Sequence, residues 1–196
     1  MPTGCFTLDR FLDGGLPPGK VILIYGAAET GKTTLAIQCA INTARMGYKT
    51  IYIDSDNSFA PERLSQIASD DIDEVSGSII LIKPSSFTEQ GGIIDHLEEY
   101  LTAKLGLIVV DTVTSLYRAE LGTPRETFTL NRELNRQVAG LAEIAKSHEL
   151  VVLLTSQVRS VFFPEGSKIV PVATRVLKFW SDIVISLGST MQRGVI

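Results

Sequence analysis

Gly26-Ala27-Ala28-Glu29-Thr30-Gly31-Lys32-Thr33, entered directly from the apolar run Val21-Ile22-Leu23-Ile24-Tyr25, reads as a strand, a glycine-rich loop and the first turn of a helix. Glycines at the two ends of the loop permit backbone torsions that let successive N–H groups converge on phosphate oxygens. A helix starting near Lys32 turns the positive end of its dipole toward the same point. Lys32 is placed to reach the β- and γ-phosphates, and Thr33 to ligate Mg²⁺. Thr34-Leu35-Ala36-Ile37-Gln38-Cys39-Ala40 continues with good helix formers and no breaker, so the motif sits in the setting its chemistry needs. The stretch from Gly26 to Thr34 is therefore the candidate site for a nucleoside triphosphate.

With 196 residues, of which 44% are apolar and 20% charged, the chain has enough apolar side chains for one substantial core, and its length favours a single domain over residues 1–196. Runs such as Leu105 to Val110 and Leu150 to Leu154 are far too short to span a bilayer, and Met1-Pro2-Thr3-Gly4 carries no basic-then-apolar signal. A cytoplasmic protein with no membrane partner is expected. Cys5 and Cys39 have neither metal-type spacing nor an evident reason to pair, and read as reduced core or half-buried residues.

Strand-like runs recur at Val21 to Tyr25, Thr50 to Asp54, Ile79 to Ile82, Leu107 to Asp111, Val151 to Thr155 and Ile183 to Leu187. Between them lie the helix reaching about Met46, a helix opened by Ala60-Pro61-Glu62-Arg63-Leu64, and an amphipathic stretch from Ile93 to Ala103. A longer helix follows with Leu130, Leu134, Val138, Leu141 and Ala145 on one face. This alternation predicts an α/β fold, a twisted and mainly parallel sheet with helices on both faces. Ligands of such sheets gather at the carboxyl ends of the strands.

Leu107-Ile108-Val109-Val110-Asp111 is an apolar strand closing on a carboxylate, the arrangement that holds Mg²⁺ beside a P-loop. An aspartate ending a buried strand is also a common turn or helix-capping residue. The P-loop upstream favours Asp111 as the metal carboxylate, with Thr112 as support.

The second strand end runs Ile51-Tyr52-Ile53-Asp54-Ser55-Asp56-Asn57-Ser58-Phe59, followed by Pro61-Glu62-Arg63-Leu64. Here the chain resembles the RecA-type recombinase ATPases, whose archaeal and eukaryotic members carry Tyr-Ile-Asp-Thr-Glu-Gly-x-Phe-x-Pro-Glu-Arg-Leu at this place. Thr3-Gly4, Leu8-Asp9, Leu12 and Gly14-Gly15 resemble the family's opening turn, and Thr155-Ser156-Gln157-Val158 its Thr-Asn-Gln-Val. Tyr117-Arg118-Ala119-Glu120 is similar to the short archaeal paralogues, which begin at the ATPase core without a helix-hairpin-helix domain. The likeness spans roughly residues 3 to 188.

The resemblance implies a RecA-like ATPase core that binds ATP and Mg²⁺ and acts in DNA recombination and repair. The family's water-polarising glutamate aligns with Asp56, one methylene shorter, which draws the carboxylate back by ~1.5 Å. Misplacing a catalytic group by ~1 Å costs on the order of a hundredfold, so normal nucleotide binding with slow hydrolysis is expected. Asp56-Asn57-Ser58 is also simply turn-prone. Gln157 matches the glutamine that senses the γ-phosphate and couples it to the following DNA-binding loop; a buried strand surfacing at Ser156-Gln157 is the plainer alternative. Lys32, Asp56 and Gln157 are thus the catalytic candidates, and Thr33 and Asp111 the metal ligands. Arg63 lies by the same analogy near the adenine edge, or is a solvated first-turn arginine. His96 and His148 have no acidic or cysteine partners at ligand spacing and read as surface residues.

The formal net charge of −4 argues against strong nonspecific nucleic-acid binding by net field alone. The balance is uneven, because Leu116 to Trp180 holds nine basic residues against six glutamates while residues 1–115 hold eight basic against fifteen acidic. The basic portion contains Arg118 to Arg125 and Arg159 to Arg175, which resemble the family's DNA-contacting loops. In the second, Val158-Arg159-Ser160-Val161-Phe162-Phe163-Pro164-Glu165-Gly166 mixes basic and aromatic residues, which suits a single strand offering phosphates and stackable bases. Arg132 and Arg136 read as a solvated helix face.

Single-stranded DNA and a RadA-like recombinase are the partners the resemblance implies, with nucleoid association. Related chains continue past the strand Ile183 to Leu187, whereas this one stops at Gly194-Val195-Ile196, so either the sequence is naturally short or the chain is incomplete and lacks C-terminal strands. Relatives assemble through a phenylalanine from an upstream linker, and few residues precede the core here; a filament by that route is not expected, while a dimer stays open. A KaiC-like ATP-dependent signalling module that does not touch DNA is the alternative, with a scaffold that has lost turnover as a third.

Overall fold

The structure is a computed structural model that describes residues 1–163 and 166–188, giving only the backbone at 161–163 and 166–168. In chain order the elements are α1 (Phe6–Phe11), β1 (Lys20–Gly26), α2 (Lys32–Arg45), β2 (Lys49–Asp54), α3 (Pro61–Ala68), α4 (Ile72–Ser76), β3 (Ile79–Ile82) and α5 (Phe87–Asp95). They continue with β4 (Leu105–Asp111), α6 (Ser115–Ala119), α7 (Pro124–His148), β5 (Val151–Ser156), β6 (Val158–Phe163), β7 (Gly166–Pro171), α8 (Thr174–Trp180) and β8 (Ile183–Leu187).

Six strands form one sheet in the order β3-β2-β4-β5-β1-β8, and every pairing in it is parallel. All six are the strands expected from the sequence, because parallel strands covered on both faces must be nearly continuous runs of Val, Ile and Leu. Alternate residues feed two separate cores. Val21, Leu23, Ile51, Ile53, Ile108, Val110, Val152 and Leu154 pack with α5, α7 and α8 on one face. Ile22, Ile24, Tyr52, Leu107, Val109, Val151 and Leu153 pack with α2 and α3 on the other. The helices therefore lie on both faces, as the α/β reading requires. All the strands run the same way, so Gly26, Asp54, Asp111 and Ser156 finish on one edge of the sheet.

The helix boundaries have local causes. α2 opens from Gly31 in the left-handed region and closes at Met46 before the left-handed Gly47. α7 starts with a reciprocal cap, in which the Thr123 hydroxyl accepts from the Glu126 N–H and the Glu126 carboxylate accepts from the Thr123 N–H. Pro124 supplies the pre-set first-turn torsion.

Several expectations are corrected. The helical stretch placed at Ile93 to Ala103 is instead α5, which starts at Phe87 because the Ser86 hydroxyl caps it by accepting from the Glu89 N–H at 3.1 Å. It ends at Asp95, a 3₁₀ turn follows at Leu97–Tyr100, and Leu101 to Ala103 are not helical. Gly91 lies inside the helix, where a Cβ would meet the tips of two side chains of α7, the Glu133 carboxylate at 2.7 Å and the Gln137 amide at 2.8 Å. The basic and aromatic run from Val158, read as a loop, begins a two-stranded antiparallel hairpin in which Val158 pairs with Pro171 and Arg159 with Val170. Pro164 and Glu165 lie outside the described residues, as do the side chains of Phe162 and Phe163 and the terminal Gly194-Val195-Ile196. Cys39 is buried in the α2 core as expected, but Cys5 is exposed because α1 buries none of its side chains. Among the described residues no helix is long and apolar enough to cross a membrane.

Candidate nucleotide-binding site

The P-loop joins β1 to α2 at the carboxyl edge of the sheet. Gly26 is obligatory there, since a Cβ would stand 2.5 Å from the Leu187 carbonyl oxygen and 2.6 Å from the Thr30 hydroxyl. Glu29 and Gly31 take positive φ, 64° and 90°, folding the loop back over itself. Ala27, Ala28 and Glu29 are exposed on its outer rim. The carbonyl of Ala27 accepts from the Thr30 hydroxyl at 2.9 Å and from the Lys32 ammonium at 2.7 Å, so the lysine lies within the loop it serves. Burial pulls the Lys32 ammonium below the ordinary lysine value, opposed by the negative fields of Asp111 and Asp56. Thr33 and Thr34 are half-buried in the first turn of α2.

Asp111 ends β4 fully buried. Its Oδ2 accepts from the Tyr52 phenol at 2.7 Å and from the Ser58 hydroxyl at 3.4 Å, while the Thr155 hydroxyl donates to Oδ1. Burial pushes the Asp111 carboxyl above the usual carboxylate range, with the Thr155, Tyr52 and Thr33 hydroxyls acting the other way. The Tyr52 phenol is pushed well above its usual value by burial and then by the Asp111 charge. Thr112, expected as support, has a buried hydroxyl without a hydrogen-bond partner. Thr155, Tyr52 and Ser58 are the groups that hydrogen-bond the Asp111 carboxylate.

Ser58 owes its position to a second buried carboxylate. Asp54 accepts from the Ser58 N–H at 2.9 Å and the Phe59 N–H at 3.2 Å, and pairs with the Lys83 ammonium at 3.5 Å. Folding the 55–59 segment over Asp54 seats Phe59 edge-on against Tyr52, with ring centroids 4.9 Å apart. Ser58 Oγ then stands 3.4 Å from both Thr33 Oγ1 and Asp111 Oδ2, linking the two expected metal ligands. Asn57 takes φ 50° and leaves Asp56 exposed at the bend.

Asp56 and Gln157 come together from sequence positions 101 residues apart, the Gln157 Nε2 donating to Asp56 Oδ2 at 3.4 Å. Arg118 completes the group, because its guanidinium donates to Gln157 Oε1. That third member was foreseen only as part of a DNA-contacting stretch. Arg63 shares the cavity of about 760 Å³ beside the P-loop with Thr30, Gly31, Lys32, Thr33 and Thr34, a size suited to a nucleotide. Cys5, Leu8, Phe11, Ile185 and Leu187 give that cavity an apolar flank. His96 and His148 are both exposed as expected, but His96 does have an acidic partner, Glu99, at 3.0 Å.

Among the described residues no three His, Cys, Asp or Glu side chains converge on a common point. The donor set is instead one carboxylate with neighbouring hydroxyls, all hard oxygen atoms. It fits Mg²⁺, which is held by one or two carboxylates together with substrate phosphates rather than by an all-protein cage.

Comparison with known proteins bears on the family and the fold. The Rad51 family model matches residues 1–191. The DNA repair and recombination protein RadB of Thermococcus gammatolerans is 37% identical, the match covering 99% of this chain and 85% of that protein. RadB of Methanothermobacter thermautotrophicus is 34% identical over 92% of this chain and 78% of its own length. A crystal structure of the RadB recombinase superposes with a TM-score of 0.79 at 32% identity, covering 98% of this chain and 84% of that one.

Proposed function

The chain belongs to the Rad51 family, beside the RadB DNA repair and recombination proteins, and we propose that it is an ATP-binding, DNA-binding accessory protein of recombination that hydrolyses ATP slowly. Members of this family use ATP and Mg²⁺ in general. The observation that carries the reading is the convergence of Lys32, Thr33, Asp111, Asp56 and Gln157 on one edge of the sheet.

In this account the backbone N–H groups of Gly31 to Thr33 and the start of α2 receive phosphate oxygens. Lys32 adds its charge to the same group, and its partial burial strengthens that attraction. Thr33 and Asp111 hold Mg²⁺, with Ser58, Tyr52 and Thr155 fixing the carboxylate in place. When bound, Mg²⁺ neutralises charge on the phosphates that Lys32 also faces. Asp56 orients the attacking water from a carboxylate one methylene shorter than the glutamate of the family, and this is the source of the slow turnover. Gln157 registers the γ-phosphate and relays it to the hairpin of β6 and β7. Arg63 borders the base end of the cavity.

Single-stranded DNA is the proposed partner, met by the basic face of Arg118, Arg159 and Arg175, which line one recess. A RadA-like recombinase is the proposed protein partner. The experiment is a titration of labelled single-stranded DNA with and without ATP and Mg²⁺ at two salt concentrations. Nucleotide-dependent affinity that weakens with salt is expected. Absence of binding in every condition refutes the DNA-binding reading.

A further inference from the structure

α1 is a helix of six residues that buries none of its side chains, and it carries two phenylalanines, Phe6 and Phe11, that are 80% and 82% exposed. Polar bonds hold it in place. The Asp9 carboxylate accepts from the Thr3 N–H and hydroxyl, both at 2.7 Å, and from the Gly4 N–H at 3.1 Å, while Asn42 of α2 donates to the Pro2 carbonyl at 3.2 Å. A helix fixed in this way leaves its aromatic rings free for another partner. The two rings differ in what they face: Phe11 lines the cavity of about 760 Å³ beside the P-loop, and Phe6 does not. That cavity extends past the loop itself, following α2 from Lys32 through Leu35 to Gln38, ~9 Å along the helix axis. At Gln38 it meets the start of α1, since a Cβ on Gly4 would stand 2.3 Å from the Gln38 amide. Leu8 and Phe11 of α1 and Ile185 and Leu187 of β8 make this flank apolar. Phosphate oxygens gain nothing from such a wall. A nucleotide base does, because its flat face stacks on an aromatic ring whatever its edge carries.

We propose that Phe11 is the base platform of this cavity: with the triphosphate on the P-loop, the base of a purine nucleotide stacks on the Phe11 ring. This rests on the P-loop reading given above and adds to it a recognition element on α1. A purine is preferred because its two fused rings cover more of the phenyl face than a single pyrimidine ring does. Arg63, brought to the same cavity by α3, adds a donor for a base nitrogen or a cation for the π-face. Stacking withdraws from water a ring that the ligand-free protein leaves exposed, so Phe11 acts on nucleotide affinity rather than on folding.

The test is equilibrium binding by calorimetry, with Mg²⁺, of ATP, UTP and inorganic tripolyphosphate to the full chain as wild type, Phe11→Ala, Phe11→Trp and Phe6→Ala. Both phenylalanines are exposed, so these variants keep the fold. Phe11→Ala is expected to bind ATP roughly five- to a hundredfold more weakly than wild type, with its affinity for tripolyphosphate unchanged. The preference for ATP over UTP shrinks in the same variant. Phe6→Ala, similarly exposed on the same helix but outside the cavity, is expected to match wild type for all three ligands. Phe11→Trp is expected to retain ATP affinity, and ATP but not tripolyphosphate to quench its added fluorescence, with wild type supplying the Trp180 background. Unchanged ATP affinity in Phe11→Ala, or equal losses for ATP and tripolyphosphate, overturns the platform and leaves the P-loop reading standing. Failure of wild type to bind either ATP or tripolyphosphate overturns the P-loop reading, and the platform with it.

Discussion

Tyr52 donates its phenolic hydroxyl to Asp111 Oδ2 at 2.7 Å between the adjacent strands β2 and β4, and both side chains are withdrawn from solvent. The bond joins the hydrophobic face covered by α2 to the carboxylate at the edge of the sheet. A hydrogen bond to a charged buried acceptor contributes about 1.5–3 kcal/mol. Tyr52→Phe keeps the ring and its edge-on contact with Phe59. It is therefore expected to destabilise the ligand-free protein by about that amount, measured as a lower denaturant midpoint at unchanged slope. A midpoint equal to wild type would show that the phenol contributes no net stability to this site.

Asp111 gives the pH dependence its sign. Its carboxyl is raised by burial, so its contribution favours the folded state most below the unfolded carboxylate value and is lost as pH rises through the folded value. Asp111→Asn has no such titration. In metal-free buffer the stability of wild type relative to Asp111→Asn is expected to fall as pH rises above the ordinary carboxylate value of about 4. Denaturant midpoints of the two proteins over that range check this, and a constant gap between them counts against a raised carboxyl.

Gln90 sits fully buried on α5 between the two carboxylate-bearing strand ends and α7. It accepts from the Ser55 hydroxyl at 2.7 Å and donates to Gln137 Oε1 at 2.9 Å, and Ser55 stands directly between Asp54 and Asp56. Gln90→Leu leaves the Ser55 hydroxyl and the Gln137 oxygen without that partner, at a cost of about 1–3 kcal/mol for each buried polar group left unsatisfied. A lower thermal midpoint together with a raised KM for ATP is the expected outcome. Loss of stability with KM unchanged would confine Gln90 to a structural role.

The sheet and the P-loop were legible because their causes are local. A strand covered on both faces must be an apolar run, and a phosphate loop needs its glycines at set spacing, as Gly26 and Gly31 have. The start of α5 was missed because the amphipathic stretch was taken to begin at Ile93, whereas the helix starts at Phe87. Ser86 with Glu89 carried the capping signal that would have found it. The first strand of the hairpin was hidden for another reason: Val158-Arg159-Ser160-Val161 shows no period-two alternation, and its basic and aromatic setting drew it toward a loop. Contacts such as Thr155 with Asp111, or Arg118 with Gln157, join residues 44 and 39 positions apart and exist only once the strand order is set. No spacing rule in a single sequence reaches them.

The most direct test of a site that holds ATP firmly and hydrolyses it slowly is to measure equilibrium ATP binding and single-turnover hydrolysis on the same samples of wild type and Asp56→Glu. Wild type is expected to bind ATP with Mg²⁺ and turn over slowly, and Asp56→Glu to bind equally well while hydrolysing on the order of tenfold or more faster, as restored carboxylate reach requires. Equal or lower hydrolysis by Asp56→Glu, with binding intact, would contradict the account of Asp56.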